Sequence, residues 1–290
     1  MIRQCHPRRL PEAELVLDEY ALRVYGPCNE ASPAAPAIFM LHGLAEAWHI
    51  WAKICDQLPD SLGAYCLEMP WNGQNGHHWG QIWPAADWLH QALQITPTSP
   101  TVLIAHSLGA NAALEYLQHH QIRGLRALVL VSPFYLAHDK EFNWAFFDQA
   151  PEIFRAIMME GLEARQGTRK FKPLILLDMV NKVQELVGPR GFMEFLTLLM
   201  RTPHLNLAHL HVPVLVVGGR HDPGSTPASN AALARALPNA HFRLLPESGH
   251  FCMLTHPDAL TALLHQFLSH CLEGVDGMRR PLEGDRHERP

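Results

Sequence analysis

Residues 101–110 read Thr-Val-Leu-Ile-Ala-His-Ser-Leu-Gly-Ala, TVLIAHSLGA. The run TVLIA is continuously apolar and of strand length, the pattern of a strand buried on both faces of a parallel sheet. A helical pattern over 111–120 begins at once behind it. A strand that feeds directly into a helix must turn sharply at the residue between them, here Ser107. Small residues two before and two after it, Ala105 and Gly109, relieve the crowding of that turn. The turn lifts the Ser107 hydroxyl above the sheet and aims a helix N-terminus at it, where an N–H group can stabilise an oxyanion. The other reading of Ser107 is a residue that caps the helix.

Outward from this stretch the same signature repeats. Residues 37–41 (AIFML), 64–67, 127–131 (ALVLV) and 214–217 (VLVV) are buried-strand runs, and helical patterns are predicted over 45–58 and 257–272. Alternation of buried strands with helices predicts an α/β fold whose mostly parallel sheet has helices on both faces. A hairpin is predicted in front, 14–16 with 21–25 around Asp18 and Glu19, followed by a Pro/Ala/Ser connector over 27–36. Between 134 and 210 the rhythm lapses. There the only strand-like run is 174–177, and helical periodicity carries Phe142, Trp144, Phe146, Phe147, Phe154, Met158, Met159, Met179, Phe192, Met193, Phe195 and Met200. This stretch is predicted to be a helical insertion between two sheet strands. The polar tail, 273–290, is predicted to be frayed or disordered.

A chain of 290 residues with 48% apolar and 18% charged residues has ample material for a core, which excludes collagenous, mostly disordered and supercharged classes. The net charge of −5 is spread along the chain without a basic stripe, so nucleic acid is not an expected partner. With no apolar segment behind the basic N-terminus and no run of membrane-spanning length, the protein is expected to be cytoplasmic. Cys5, Cys28, Cys55, Cys66, Cys252 and Cys271 contain no Cys-x-x-Cys pair, which points to buried thiols rather than a disulfide framework or zinc knuckle.

Three further loops follow strands. His42-Gly43 ends the run 37–41, Asp222 follows Gly218-Gly219 after 214–217, and His250 lies in 243–251 (RLLPESGHF) before the closing helix. Ligands of parallel sheets bind at the C-terminal strand ends, so the His42 loop and the Ser107 turn should open on the same edge. The N–H groups of Leu44 and Leu108 would then face one developing negative oxygen from two sides. His42 itself is assigned to loop structure. A serine hydroxyl is a weak nucleophile at neutral pH and needs an imidazole to take its proton and a carboxylate to orient the imidazole. Ser107, His250 and Asp222 supply those roles; singly, Asp222 could be a turn-former and His250 a loop histidine.

Taken together, His42-Gly43, the 105–109 stretch Ala-His-Ser-Leu-Gly, Gly219-Arg-His-Asp222 with Pro227, and Ser248-Gly-His250 resemble the α/β-hydrolase family, over about 14–272. The resemblance implies a doubly wound sheet of about eight strands with a helical cap inserted after the sixth. The expected division is a core of 1–133 and 211–272 with a cap of 134–210. It also implies Ser107 as nucleophile, His250 as base, Asp222 as its partner, Leu44 and Leu108 as oxyanion donors, and no cofactor. Residues 68–75 (EMPWNGQN) keep Pro70 and Gly73 of the relatives' pattern but place Trp71 where glycine is usual. With the loop running on to Gly80, an aromatic wall near the site mouth is expected.

A serine at 107 disfavours the branches that attack with a carboxylate and leaves those that attack carbonyls. The expected activity is hydrolysis of a carboxylic ester or thioester of a small-molecule or carrier-bound acyl group, apolar to suit a cap rich in Met and Phe. The alternatives are a biosynthetic thioesterase or acyltransferase, a carbon–carbon bond hydrolase, and a ligand-binding protein that keeps the fold without catalysis. Among twenty histidines, His77-His78, His119-His120 and His209-x-His211 are the tightest clusters, but no carboxylate set accompanies them, and metal catalysis is not expected.

Overall fold

The computed structural model describes residues 10–272, apart from 18, 33, 74–77 and 167–169. The tail over 273–290, Cys5 and His77 lie outside the described residues. In chain order the elements are β1 (Ala13–Leu17), β2 (Tyr20–Tyr25), β3 (Ala37–Leu41), α1 (Ala52–Cys55), β4 (Gly63–Glu68), α2 (Trp79–Ile82), α3 (Ala85–Gln94), β5 (Val102–His106), α4 (Leu108–His119) and β6 (Ala127–Val131). Then follow α5 (Trp144–Arg165), α6 (Pro173–Arg201), β7 (Val214–Gly219), α7 (Pro227–Ala236), β8 (Ala240–Leu245), α8 (Cys252–Thr255) and α9 (Pro257–Leu272).

The eight strands form one sheet in the order β1-β2-β4-β3-β5-β6-β7-β8. The β1–β2 and β2–β4 pairs are antiparallel and the rest parallel. Every residue of β3, β5, β6 and β7 is buried, as their unbroken apolar runs require of central parallel strands. The edge strand β1 alternates half-buried and exposed residues, as a one-faced strand must. From β3 the chain steps to β4 on one side and then crosses to β5 on the other, so the order reverses between β3 and β5. That switch point opens a crevice beyond the strand ends, where parallel sheets place ligands.

One helical expectation needed correction. The segment predicted as a helix over 45–58 is a loop through residue 47, a 3-10 turn (Trp48–Trp51) and one turn of α1. Ala45 adopts φ 57° there, and its N–H donates to the Trp71 carbonyl, so the backbone is spent on the crevice rather than on a helix. The strand-like run over 174–177 lies inside α6, where four consecutive apolar residues serve helix faces instead. The helix α6 is itself broken at Gly188 (φ 60°, ψ 173°), because Pro189 pushes the preceding residue out of the helical region and only glycine takes that φ without strain. Both α5 and α6 lie between β6 and β7 in the chain and pack on each other. No helix among the described residues is long and apolar enough to cross a membrane.

Candidate active site

Ser107 stands between β5 and α4 with φ 54° and ψ −125°, a region that side chains other than glycine enter only under strain. Its N–H donates to the Val131 carbonyl, which holds the turn in place. The hydroxyl makes no capping bond to α4; instead it meets His250. Gly109 is needed for close approach: a Cβ there would stand 2.5 Å from the His42 carbonyl oxygen. Gly43 likewise lies against Ser107, since its Cβ would be 3.0 Å from that of the serine. The loop after β3 and the turn after β5 are thus locked together across the switch point.

The ends of β7 and β8 deliver the other two residues. Asp222 and His250 are buried, with His250 Nδ1 2.8 Å from Asp222 Oδ2 and His250 Nε2 3.0 Å from Ser107 Oγ. The free oxygen of Asp222, Oδ1, accepts the N–H groups of Gly224 and Ser225, so the Asp-Pro-Gly turn and the carboxylate's role coexist. The imidazole of His250 loses by burial but gains more from the Asp222 carboxylate, its hydrogen bond and the charges of Glu160 and Glu46, and its pKa is raised. A hydroxyl, imidazole and carboxylate in this line can move a proton from Oγ to Nε2.

Around the line, His250 is held by groups that carry no signal in the sequence. Its carbonyl oxygen accepts the Ser132 hydroxyl at 3.1 Å and lies 3.1 Å from His106 Nε2. Burial, then the proximity of His250, pushes the pKa of His106 well below 6.5, so the ring is neutral. A carbonyl partner requires Nε2–H, and Nδ1 then has no proton and no hydrogen-bond partner among the described residues. Glu160 of α5 accepts the N–H of His250 at 2.9 Å and that of Phe251 at 3.0 Å. These contacts join residues up to 144 apart in the chain, and no spacing rule signals them. Ala45, Ser107 and Ser132, the non-glycine residues with positive φ among the described residues, all belong to this neighbourhood.

Leu44 lines the pocket in front of Ser107, and Leu108 begins α4. The N–H of neither has a hydrogen-bond acceptor among the described residues. His42 is loop structure: Nδ1–H donates to the Gly43 carbonyl, Nε2 accepts the Met69 N–H, and burial lowers its pKa to about 4. Glu68, pushed up to about 7 by burial, accepts the Trp48 N–H behind the same loop. Among the described residues of 68–80 none lines the pocket in front of Ser107, so the expected aromatic wall does not form from them. Trp71 is fully buried behind the loop, donating Nε1–H to the His42 carbonyl and packing on Trp79, because a residue at that turn props the loop from the core side.

A cavity of about 290 Å³ opens over Ser107, Gly43, Leu44 and His250. Its other walls come from the β6–β7 insertion, chiefly Phe134, Ile153, Phe154, Ile157, Met158 and Phe195. Of the twelve aromatic and Met residues that marked the insertion, Phe146, Phe154, Met158 and Phe195 line the cavity. The only metal-sized group of His, Cys, Asp or Glu among the described residues is Cys28, Cys55 and Cys66, whose sulfurs lie within 4.8 Å of one another. Their separation in the chain concealed this cluster. It includes no residue of the Ser107 cavity, and the Cys28 thiol donates to the Tyr25 carbonyl. None of the three histidine clusters forms such a group among the described residues.

The model of the alpha/beta hydrolase family matches residues 38–263. The chain is 26% identical to the pimeloyl-[acyl-carrier protein] methyl ester esterase of Yersinia enterocolitica, over 79% of this chain and 92% of that one. It is 26% identical to the monoacylglycerol lipase ABHD6 of Bos taurus, over 81% of this chain and 75% of that one. Among solved structures, a hydrolase from Oleispira antarctica superposes with a TM-score of 0.63 at 14% identity, covering 86% of this chain and 94% of that one.

Proposed function

The chain belongs to the alpha/beta hydrolase family, and from that premise we propose that it is a serine esterase that cleaves an apolar acyl ester through an acyl-enzyme. The observation that carries this reading is the hydrogen-bonded line Ser107–His250–Asp222 at the floor of an apolar cavity. Ser107 Oγ attacks the ester carbonyl as His250 Nε2 takes its proton. The oxyanion that forms is held by the Leu44 and Leu108 N–H groups, each worth about 3 kcal/mol in the transition state. The tetrahedral intermediate collapses, and His250 returns the proton to the departing alkoxide. A water deprotonated by His250 then attacks the acyl carbon and frees the acid. Asp222 keeps the imidazole in the required tautomer and stabilises its charged form.

The cavity speaks for the acyl group. Among the described residues its lining holds no Lys or Arg that would pair with a free carboxylate, and its volume of about 290 Å³ has room for roughly ten water-sized groups at about 30 Å³ each. A neutral acyl chain of medium length fits. The relatives whose names specify an acyl-carrier methyl ester and a monoacylglycerol support an oxygen ester over a thioester. The test is reaction with a fluorophosphonate probe, located by mass spectrometry, together with hydrolysis of nitrophenyl esters of increasing chain length. Wild-type protein labels at Ser107 and prefers medium chains, and Ser107→Ala loses both activities. Full turnover by Ser107→Ala would refute the nucleophile. An unlabelled, folded wild type would favour a ligand-binding protein.

A further inference from the structure

The helix that builds the acyl pocket also grips the two loops that carry the chemistry. Along α5, Ile153, Ile157 and Glu160 follow at i, i+4 and i+7 and so share one face. The first two line the pocket and the third accepts the His250 and Phe251 N–H groups through its two carboxylate oxygens. The fit is close. A Cβ on Gly249 would stand 2.4 Å from Glu160 Oε2, and one on Gly161 would stand 2.8 Å from the Phe251 ring, so both glycines let α5 lie against the histidine loop. Five residues past Glu160, Arg165 pairs with the buried Glu46, two residues beyond Leu44 on the opposite loop, and sits over the Phe251 ring.

We propose that Glu160 is a positioning residue of this hydrolytic reaction, one that ties the seat of α5, and with it the filling of the acyl pocket, to the backbone of His250. The proposal rests on the esterase reading above. Two backbone N–H groups held by one carboxylate fix the plane of the histidine loop, and charge-assisted bonds of this kind are about twice as strong as neutral ones. The same carboxylate places a negative charge near the imidazole. The charged and titratable groups facing His250 are Asp222 after β7, Glu160 on α5, Glu46 after β3 with Arg165 paired to it, and His106 at the end of β5. Asp222, Glu160 and Glu46 all favour the imidazolium, so removing the Glu160 charge lowers the pH at which His250 becomes a base.

The experiment is the pH profile of fluorophosphonate labelling at Ser107, which needs neutral His250 and no knowledge of the natural substrate. In Glu160→Gln the plateau rate falls about fivefold or more and the acid-side midpoint moves down by roughly half a pH unit. Glu160→Asp keeps the charge but is one methylene too short, so its rate falls while its midpoint stays with wild type. A Glu160→Gln midpoint that coincides with wild type overturns the proposal, whatever the plateau. If that variant does not fold, Gly249→Ala decides on the plateau instead: its methyl drives the carboxylate off both N–H groups while the charge stays, so the rate falls with little change in midpoint, and a wild-type rate overturns the proposal. Loss of labelling in the wild type itself would instead refute the esterase reading.

Discussion

The floor and the roof of the pocket are built on opposite principles. The floor consists of strand ends and is polar, buried and hydrogen-bonded: Ser107, His250, Asp222, His106 and Ser132 are each 7% exposed or less and each has a named partner. The roof consists of helix faces carrying Phe, Ile and Met, and it leaves Trp144, Leu174, Ile175 and Met193 exposed on its outside. Directional bonds specify one geometry, whereas apolar packing tolerates many side chains of similar volume. Substitutions in the floor should therefore alter the rate of reaction and those of the apolar roof side chains should alter which substrate is chosen, whereas Glu160, which reaches from α5 to the His250 backbone, counts with the floor. Each prediction below can break that separation.

The largest effect after loss of the Ser107 hydroxyl is expected at Asp222. Asp222→Asn keeps the shape but presents an amide to His250 and favours the wrong tautomer, so kcat should fall by about 10⁴-fold. The pH profile supplies the sign. The raised pKa of His250 means that wild-type activity is lost as pH falls through a midpoint above 6.5, because a protonated imidazole cannot accept the serine proton. Without the Asp222 charge, burial prevails and the midpoint moves to lower pH. Stopped-flow or steady-state profiles of ester hydrolysis check both, and an unchanged midpoint would show that the floor does not set the basicity of His250.

Gly109→Ala tests the lock between the two loops. The new methyl meets the His42 carbonyl oxygen at 2.5 Å and Leu41 Cγ at 2.9 Å, both inside the close-packed core, so strain of about 1–3 kcal/mol is expected in urea unfolding. Because relief must come from displacement of the loop that carries Leu44, kcat should also fall, by roughly tenfold or more. Loss of stability without loss of kcat would mean that the oxyanion side of the floor is more tolerant than its histidine side.

The same contrast explains what the sequence disclosed. Buried strands declare themselves by unbroken apolar runs, and a sharp strand-to-helix turn by small residues around it, so β3, β5, β6 and β7 and the meeting of Ser107, Asp222 and His250 at one sheet edge were legible. So was the closing helix, which spans Pro257–Leu272 as read. What was hidden depends on contact rather than period. Glu160 looks like any acid on an amphipathic helix until α5 is laid against Gly249, and Trp71 looks like a surface aromatic until its indole N–H finds the His42 carbonyl. The 45–58 stretch has helical periodicity, but the loop hydrogen bonds of Ala45 and Trp48 outweigh it. Cys28, Cys55 and Cys66 come from a loop, a helix and a strand, and only the fold brings their sulfurs together.

The smallest effect on rate, and the sharpest test of the roof, is expected at Phe154. Its ring lines the pocket over Ser107 and also a second cavity of about 660 Å³ bordered by Pro151, Gly188 and Phe192, so it is a partition between them. A phenyl ring offers no hydrogen bond to the floor, and Phe154 packs edge-on against the Phe192 ring at 5.7 Å. Phe154→Ala therefore removes contact with a medium acyl chain and raises KM for its nitrophenyl ester about tenfold, or roughly 1.4 kcal/mol, while kcat stays within about twofold. It also joins the two spaces, so esters of longer chains should gain in kcat/KM relative to wild type. A fall in kcat with KM unchanged would mean that the ring is felt only in the transition state. The roof would then take part in the chemistry, and the division between a catalytic floor and a selective roof would fail at the residue where it is drawn most sharply.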